Sequence, residues 1–180
     1  MIEEILEYNQ SFIENKEYEK YITGKFPNKK IAIVSCMDTR LTELLPAALG
    51  FKNGDAKIIK NAGGVISHPF GSVMRSLIIG IYELNVEDIL VIGHTDCGAR
   101  CTDSLKIIEK MKEHGITQQH IDLISYSGID FDSWLGGFTD LETSIRNSVE
   151  LVRRHPLVPK EINVYGLIID SVTGKLERIT

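Results

Sequence analysis

Apolar runs at 31–34 (IAIV), 56–59 (AKII), 89–92 (ILVI) and 162–169 (INVYGLII) punctuate the chain, and stretches with helical spacing separate them. Short apolar runs bounded by turn residues suit strands buried on both faces. The intervening segments are long enough to cross over as helices, so the order implies an α/β fold with a central parallel sheet of about four strands. Helices are expected near 1–20, 42–49, 70–84, 100–114 and 140–154. In the last of these, Thr139 and Glu142 have the spacing of a capping box, and Pro156 marks the end. The closing stretch LIIDSVTGKLERI predicts a strand, a turn at Thr173 and Gly174, and a short returning strand that adds an antiparallel edge. The segment 124–138 has no clear period and is expected to be an ordered surface loop.

At 180 residues the chain has the size of one domain with a full hydrophobic core. No apolar run approaches the length of a membrane span, which argues against a membrane partner. The N-terminus is acidic and spaced like a helix at Ile2, Ile5, Leu6, Phe12 and Ile13, unlike a secretory leader, so a cytoplasmic location is expected. A net charge of −5 leaves no basic footprint for nucleic acid. Three cysteines, Cys36, Cys97 and Cys101, are too few for a disulfide framework and direct attention to metal binding or catalysis.

Two strand ends carry that chemistry. The first apolar run leads into Cys36, Asp38 and Arg40, and the third leads into His94, Asp96, Cys97 and Cys101. Open α/β sheets form their sites outside the carboxyl ends of strands, so Cys36 can meet His94 and Cys97 if the two strands are neighbours. Two thiolates and one imidazole suit Zn2+, and three protein ligands leave the fourth tetrahedral position open, as in catalytic sites. In an extended stretch Cys36, Asp38 and Arg40 face one side, which puts the carboxylate beside the metal with Arg40 keeping it ionised. Asp38 as a fourth ligand is the alternative reading. Cys101 is the rival sulfur, expected to pack against the sheet. A closed site of Cys36, His94, Cys97 and Cys101 would be structural. His68, His114, His120 and His155 are expected at the surface. A third strand end supplies Asn61 and the pair Gly63 and Gly64, where backbone can approach a ligand closely.

Together, SCMDTR, GDAKIIKNAGG, HTDCG and VYGLIIDSVTGKL resemble the β-class carbonic anhydrases, in particular their short, archaeal-type branch, over roughly residues 30–178. The resemblance implies zinc held by Cys36, His94 and Cys97, a catalytic Asp38–Arg40 dyad, and reversible hydration of carbon dioxide to bicarbonate by zinc-bound hydroxide. A substrate pocket would include Asn61, Ala62, Gly63 and Gly64. It further implies a homodimer or dimer of dimers, with an N-terminal helical arm over 1–24 lying on the partner and the α/β domain over 25–180. Lys60 stands where many members have Arg, keeping the charge without the planar fork. No Gln occurs between residues 11 and 35, where many members place one. Ile33 stands where members with a second bicarbonate site carry Trp, so no such regulation is expected. Hydrolysis of carbonyl sulfide or carbon disulfide on the same frame is the enzymatic alternative, and a non-catalytic zinc-binding or thiol-sensing module is the other.

Overall fold

In the computed structural model, which describes residues 1–180, the apolar run IAIVSC forms strand β1 (Ile31–Cys36), buried from Ala32 to its end. Near-continuous burial of this kind requires cover on both faces and neighbours on both edges. Strands β2 (Ala56–Asn61) and β3 (Asp88–His94) pair with it in parallel on either side. Strand β4 (Asn163–Ile169) runs parallel to β3, and β5 (Leu176–Arg178) returns antiparallel to β4, giving the order β2-β1-β3-β4-β5. The edge position of β2 leaves Ile58 on it exposed.

Helices α1 (Ile2–Glu14), α2 (Leu41–Ala48), α3 (Ser72–Leu84), α4 (Ser104–Glu113), α5 (Gln118–Tyr126), α6 (Phe131–Leu135) and α7 (Leu141–Arg153) complete the chain. Helix α7 places Ile145, Val149 and Val152 on one stripe, and with Met74 and Leu77 of α3 they cover Ala32, Val34, Ile89 and Val91 of the sheet. On the opposite face Leu41 and Leu45 of α2 pack on Ile33, Ile92 and Ile169 in a cluster that also takes in Cys36 and Cys97. The second core therefore ends in sulfur at the crevice. No helix is long and apolar enough to cross a membrane.

Several expectations need correction. The segment 124–138, expected as a loop, instead holds the end of α5 and all of α6, helices capped by the side chains of Thr117 and Asp130. Each buries a single residue, Ile121 and Phe131, which is too little to leave a period in the sequence. The cap of α7 is Asp140, whose Oδ1 accepts from Thr143 N at 2.8 Å, so the box expected at Thr139 lies one residue off. His155 is 5 % exposed, not a surface group; its Nδ1 accepts from Leu157 N and its Nε2 lies 2.9 Å from the Pro69 carbonyl. Helix α1 buries none of its residues, and Ile2, Ile5, Leu6 and Ile13 are all more than half exposed.

Candidate active site

The chain leaves β1 for β2 on one flank and then crosses to β3 on the other, so the carboxyl ends of β1 and β3 border a topological switch point. Cys36 is the last residue of β1 and His94 the last of β3, with Cys97 in the turn just beyond. Their ligand atoms all lie within 4.8 Å of one another, and all three residues are buried. The Sγ atoms of Cys36 and Cys97 are 3.8 Å apart. Two sulfurs bonded to one tetrahedral zinc at about 2.3 Å each are separated by about 3.8 Å, so the pair fits that ion without rearrangement.

The imidazole fits as well. His94 Nδ1 lies 2.8 Å from the Thr95 carbonyl oxygen, which can only accept. Nδ1 therefore carries the proton, and Nε2 presents its lone pair. That Nε2 is buried without a hydrogen-bond partner, a costly arrangement for a polar atom that a metal ion relieves. Burial holds the Cys97 thiol above its ordinary value and the neighbouring Cys36 sulfur adds to this, while backbone N–H groups of Ala99 and Arg100 favour the thiolate. A divalent cation between the sulfurs reverses the balance, because a coordinating thiol ionises.

Asp38 and Arg40 meet beside this cluster. Arg40 Nε donates to Asp38 Oδ1 at 3.0 Å and Nη2 to Oδ2 at 2.8 Å, and the Arg40 backbone N–H adds a third bond to Oδ1 at 2.9 Å. Strand alternation, which the sequence led us to expect, does not make this contact. Strand β1 stops at Cys36, Arg40 has helical backbone angles at the start of α2, and its side chain folds back onto Asp38. Hydrogen bonding from the Arg40 side chain, foremost, holds the Asp38 carboxyl well below the usual carboxylate range, and the same bond raises Arg40. Asp38 Oδ2 lies 3.9 Å from His94 Nε2, so the carboxylate borders the cluster.

A cavity of about 380 Å³ opens over Cys36 and Asp38, with Ala62, Gly63 and Ala99 among its walls. Of the other residues expected there, Asn61 lines a separate adjoining cavity of about 390 Å³ beside Trp134 and Phe138, where its Nδ2 donates to the Val65 carbonyl. Gly64 sits at φ +66° behind β1; a Cβ there would come within 3.0 Å of Cys36 N and 3.1 Å of the Ser35 carbonyl carbon. Its place is close backbone packing that seats Cys36. Cys101 is exposed at φ +63° and stands outside the cluster, so it neither packs on the sheet nor completes a closed site.

Asp96 and Thr95 gain parts that sequence reasoning did not assign. Arg40 Nη1 donates to Asp96 Oδ2 and Nη2 to the Asp96 carbonyl, both at 2.9 Å. Arg40 thus ties the β1 end to the β3 end. The left-handed backbone of Asp96, at φ +53°, is a conformation that Asp tolerates, and its place between His94 and Cys97 is the signal that could have marked it.

The fold is thus an α/β sheet of order 2-1-3-4-5 whose switch-point crevice carries a Cys-His-Cys cluster able to hold a metal ion, beside an arginine-locked aspartate. The carbonic anhydrase family profile matches residues 31–176, and the chain belongs to the β-carbonic anhydrase family. YtiB of Bacillus subtilis (strain 168), which bears the name carbonic anhydrase provisionally, is 52% identical over 179 residues, covering 99% of this chain and 96% of YtiB. The crystal structure of β-carbonic anhydrase isoform I from Trichomonas vaginalis superposes with a TM-score of 0.90 at 37% identity, covering 99% of this chain and 97% of that one. A carbon disulfide hydrolase of Acidithiobacillus thiooxidans is 30% identical over 157 residues, covering 83% of this chain and 76% of the hydrolase.

Proposed function

We propose that the protein is a zinc-dependent carbonic anhydrase that hydrates carbon dioxide reversibly to bicarbonate and a proton, with Cys36, His94 and Cys97 holding zinc and Asp38 and Arg40 acting as a catalytic dyad. The observation that carries this reading is the 3.8 Å sulfur pair facing an unpartnered His94 Nε2, next to a carboxylate locked by Arg40. Cys36, His94 and Cys97 would hold zinc, which when bound would supply Lewis acidity and bring the pKa of a coordinated water to near ~7. Two thiolates offset the ion's charge and weaken that acidity, which increases the need for a supporting carboxylate.

Asp38 supplies it. Held ionised by Arg40, its Oδ2 accepts a hydrogen bond from the attacking water and aims the remaining lone pair at the substrate carbon. The methyl groups of Ala62 and Ala99 offer an apolar wall to an uncharged linear molecule, and the glycine at 63 keeps the wall low. One carbon–oxygen σ bond forms as a carbonyl π pair moves onto oxygen, the water O–H bond breaks with its proton passing to buffer, and bicarbonate leaves. Four of the five guanidinium N–H donors of Arg40 are engaged by Asp38 and Asp96, so its main part is to hold the carboxylate. Stopped-flow hydration of carbon dioxide tests the reading; activity of wild type no greater than that of Cys36→Ser would refute it.

A second reading, hydrolysis of carbonyl sulfide or carbon disulfide, draws support from the relation to the Acidithiobacillus thiooxidans hydrolase. Sulfide release without carbon dioxide turnover would favour it. The non-catalytic module lacks such support, because Cys101 stands apart from the cluster. We also propose a homodimer or dimer of dimers, in which the N-terminal arm over 1–24 covers a second copy of the domain over 25–180. The bare apolar stripe of α1 supports it. A cytoplasmic location accords with three unpaired thiols.

A further inference from the structure

The carbonyl that sets the His94 tautomer belongs to Thr95, and Thr95 is held from the far end of the chain. Its N–H donates to the Ile169 carbonyl at 3.1 Å, continuing the β3–β4 ladder. Its hydroxyl accepts from Ser171 N at 3.0 Å, lies 3.2 Å from Ser171 Oγ, and donates to Asp170 Oδ2 at 3.3 Å. The other oxygen of the same carboxylate is spent locally. Asp170 Oδ1 accepts from Val172 N at 3.1 Å, from Thr173 N at 2.7 Å and from the Thr173 hydroxyl at 2.8 Å.

That division of labour is informative. Of the two carboxylate oxygens only Oδ1 serves the turn over 170–174, which is also closed by Gly174 N donating to the Asp170 carbonyl at 2.9 Å. The turn has no need of Oδ2, yet Oδ2 reaches the residue next to a proposed metal ligand. The turn is also firmly seated: Gly174, at φ +73°, lies so close to α2 that a Cβ would come within 3.1 Å of Ala48 and 3.2 Å of Leu44. Arg40 secures the next carbonyl along, that of Asp96. The C-terminal turn thus holds Thr95, and the dyad arginine holds the next residue, Asp96.

We propose that Thr95 and Asp170 are positioning residues for the metal centre: the C-terminal turn holds the Thr95 peptide so that its carbonyl keeps a proton on His94 Nδ1 and Nε2 faces the two sulfurs. The proposal rests on the reading of Cys36, His94 and Cys97 as that centre. Groups that orient a ligating histidine typically contribute about 10- to 100-fold to metal affinity.

Zinc affinity, measured by competition with a chromophoric chelator, and the visible spectrum of the Co2+-loaded protein read this out directly. Thr95→Val, which replaces the hydroxyl with a methyl group of similar size, is expected to weaken zinc about 10- to 100-fold and to alter the cobalt spectrum. Thr95→Ser restores most of the affinity. Asp170→Asn, which keeps an acceptor for the turn and reverses the polarity of the group facing Thr95, shifts affinity the same way and carries the test if Thr95→Val fails to fold. Val152→Ala, which truncates a core residue on the other face of the sheet, lowers the melting temperature while leaving zinc affinity at the wild-type value. If Thr95→Val and Asp170→Asn bind both metals as wild type does and only melt earlier, the turn is structural and the proposal is overturned. A wild-type protein that takes up no zinc would instead overturn the metal-centre reading beneath it.

Discussion

Cys36 and Cys97, separated by 61 positions in the chain, bring their sulfurs to 3.8 Å in a crevice that leaves them 6 % and 7 % exposed. An ordinary core packs methyl groups at such a point. Here the two thiols face an imidazole nitrogen that has no hydrogen-bond partner, and the nearest carboxylate is held ionised by arginine. The unpartnered nitrogen is unfavourable alone, and the divalent cation proposed between the sulfurs would relieve it.

The Asp38–Arg40 pair predicts a pH dependence. The folded-state pKa of Asp38 is depressed, so the stability it contributes is fully present above the unfolded value near ~3.9 and is lost as pH falls below it toward the folded value. Asp38 therefore stays ionised throughout the neutral range, and any acidic limb of activity there arises elsewhere. Arg40→Gln should return the Asp38 carboxyl toward ~3.9, seen by carbon NMR titration, and lower carbon dioxide hydration by about 10²-fold through misplacement of the carboxylate. An unmoved titration midpoint would contradict the assignment.

Gly64 predicts a stability defect. Alanine there adds a left-handed backbone cost of about 1–2 kcal/mol and a steric cost of about 1–3 kcal/mol against the Ser35–Cys36 backbone. Thermal denaturation of Gly64→Ala should show a melting temperature lower by roughly 5–15 °C. A shift of under about 2 °C would mean that β1 yields at Cys36 more readily than the packing indicates.

The stripe on α1 predicts an assembly. Ile5→Glu combined with Leu6→Glu should convert the dimer or its multiple into monomers in sedimentation equilibrium, without loss of helical circular dichroism from the α/β domain. Wild type sedimenting as a monomer at micromolar concentration would remove the proposed partner.

The parts of this architecture visible in the sequence were those set by local pattern. Apolar runs marked β1, β3 and β4, and ligand residue types at two strand ends pointed to a shared crevice because strand ends converge in a parallel sheet. What stayed hidden depends on distant contacts. The burial of His155 comes from the Pro69 carbonyl, 86 positions away, and Arg40 reaches Asp96 across 56. The short helix α6 offers a single buried residue, so no period could form. Thr139 and Asp140 are both good caps, and only backbone geometry selects Asp140. Asp170 lies in a recognisable turn, but its second oxygen finds Thr95 only once β3 and β4 are paired.

The most direct test of the central claim measures zinc content and the carbon dioxide hydration rate on one preparation across pH ~6.5 to ~9, a window that brackets a zinc-water pKa near ~7. We predict one zinc per chain and a rate that rises with pH, with both lost in Cys36→Ser. A full complement of zinc with no turnover at any pH, or turnover that survives in Cys36→Ser, would contradict the account.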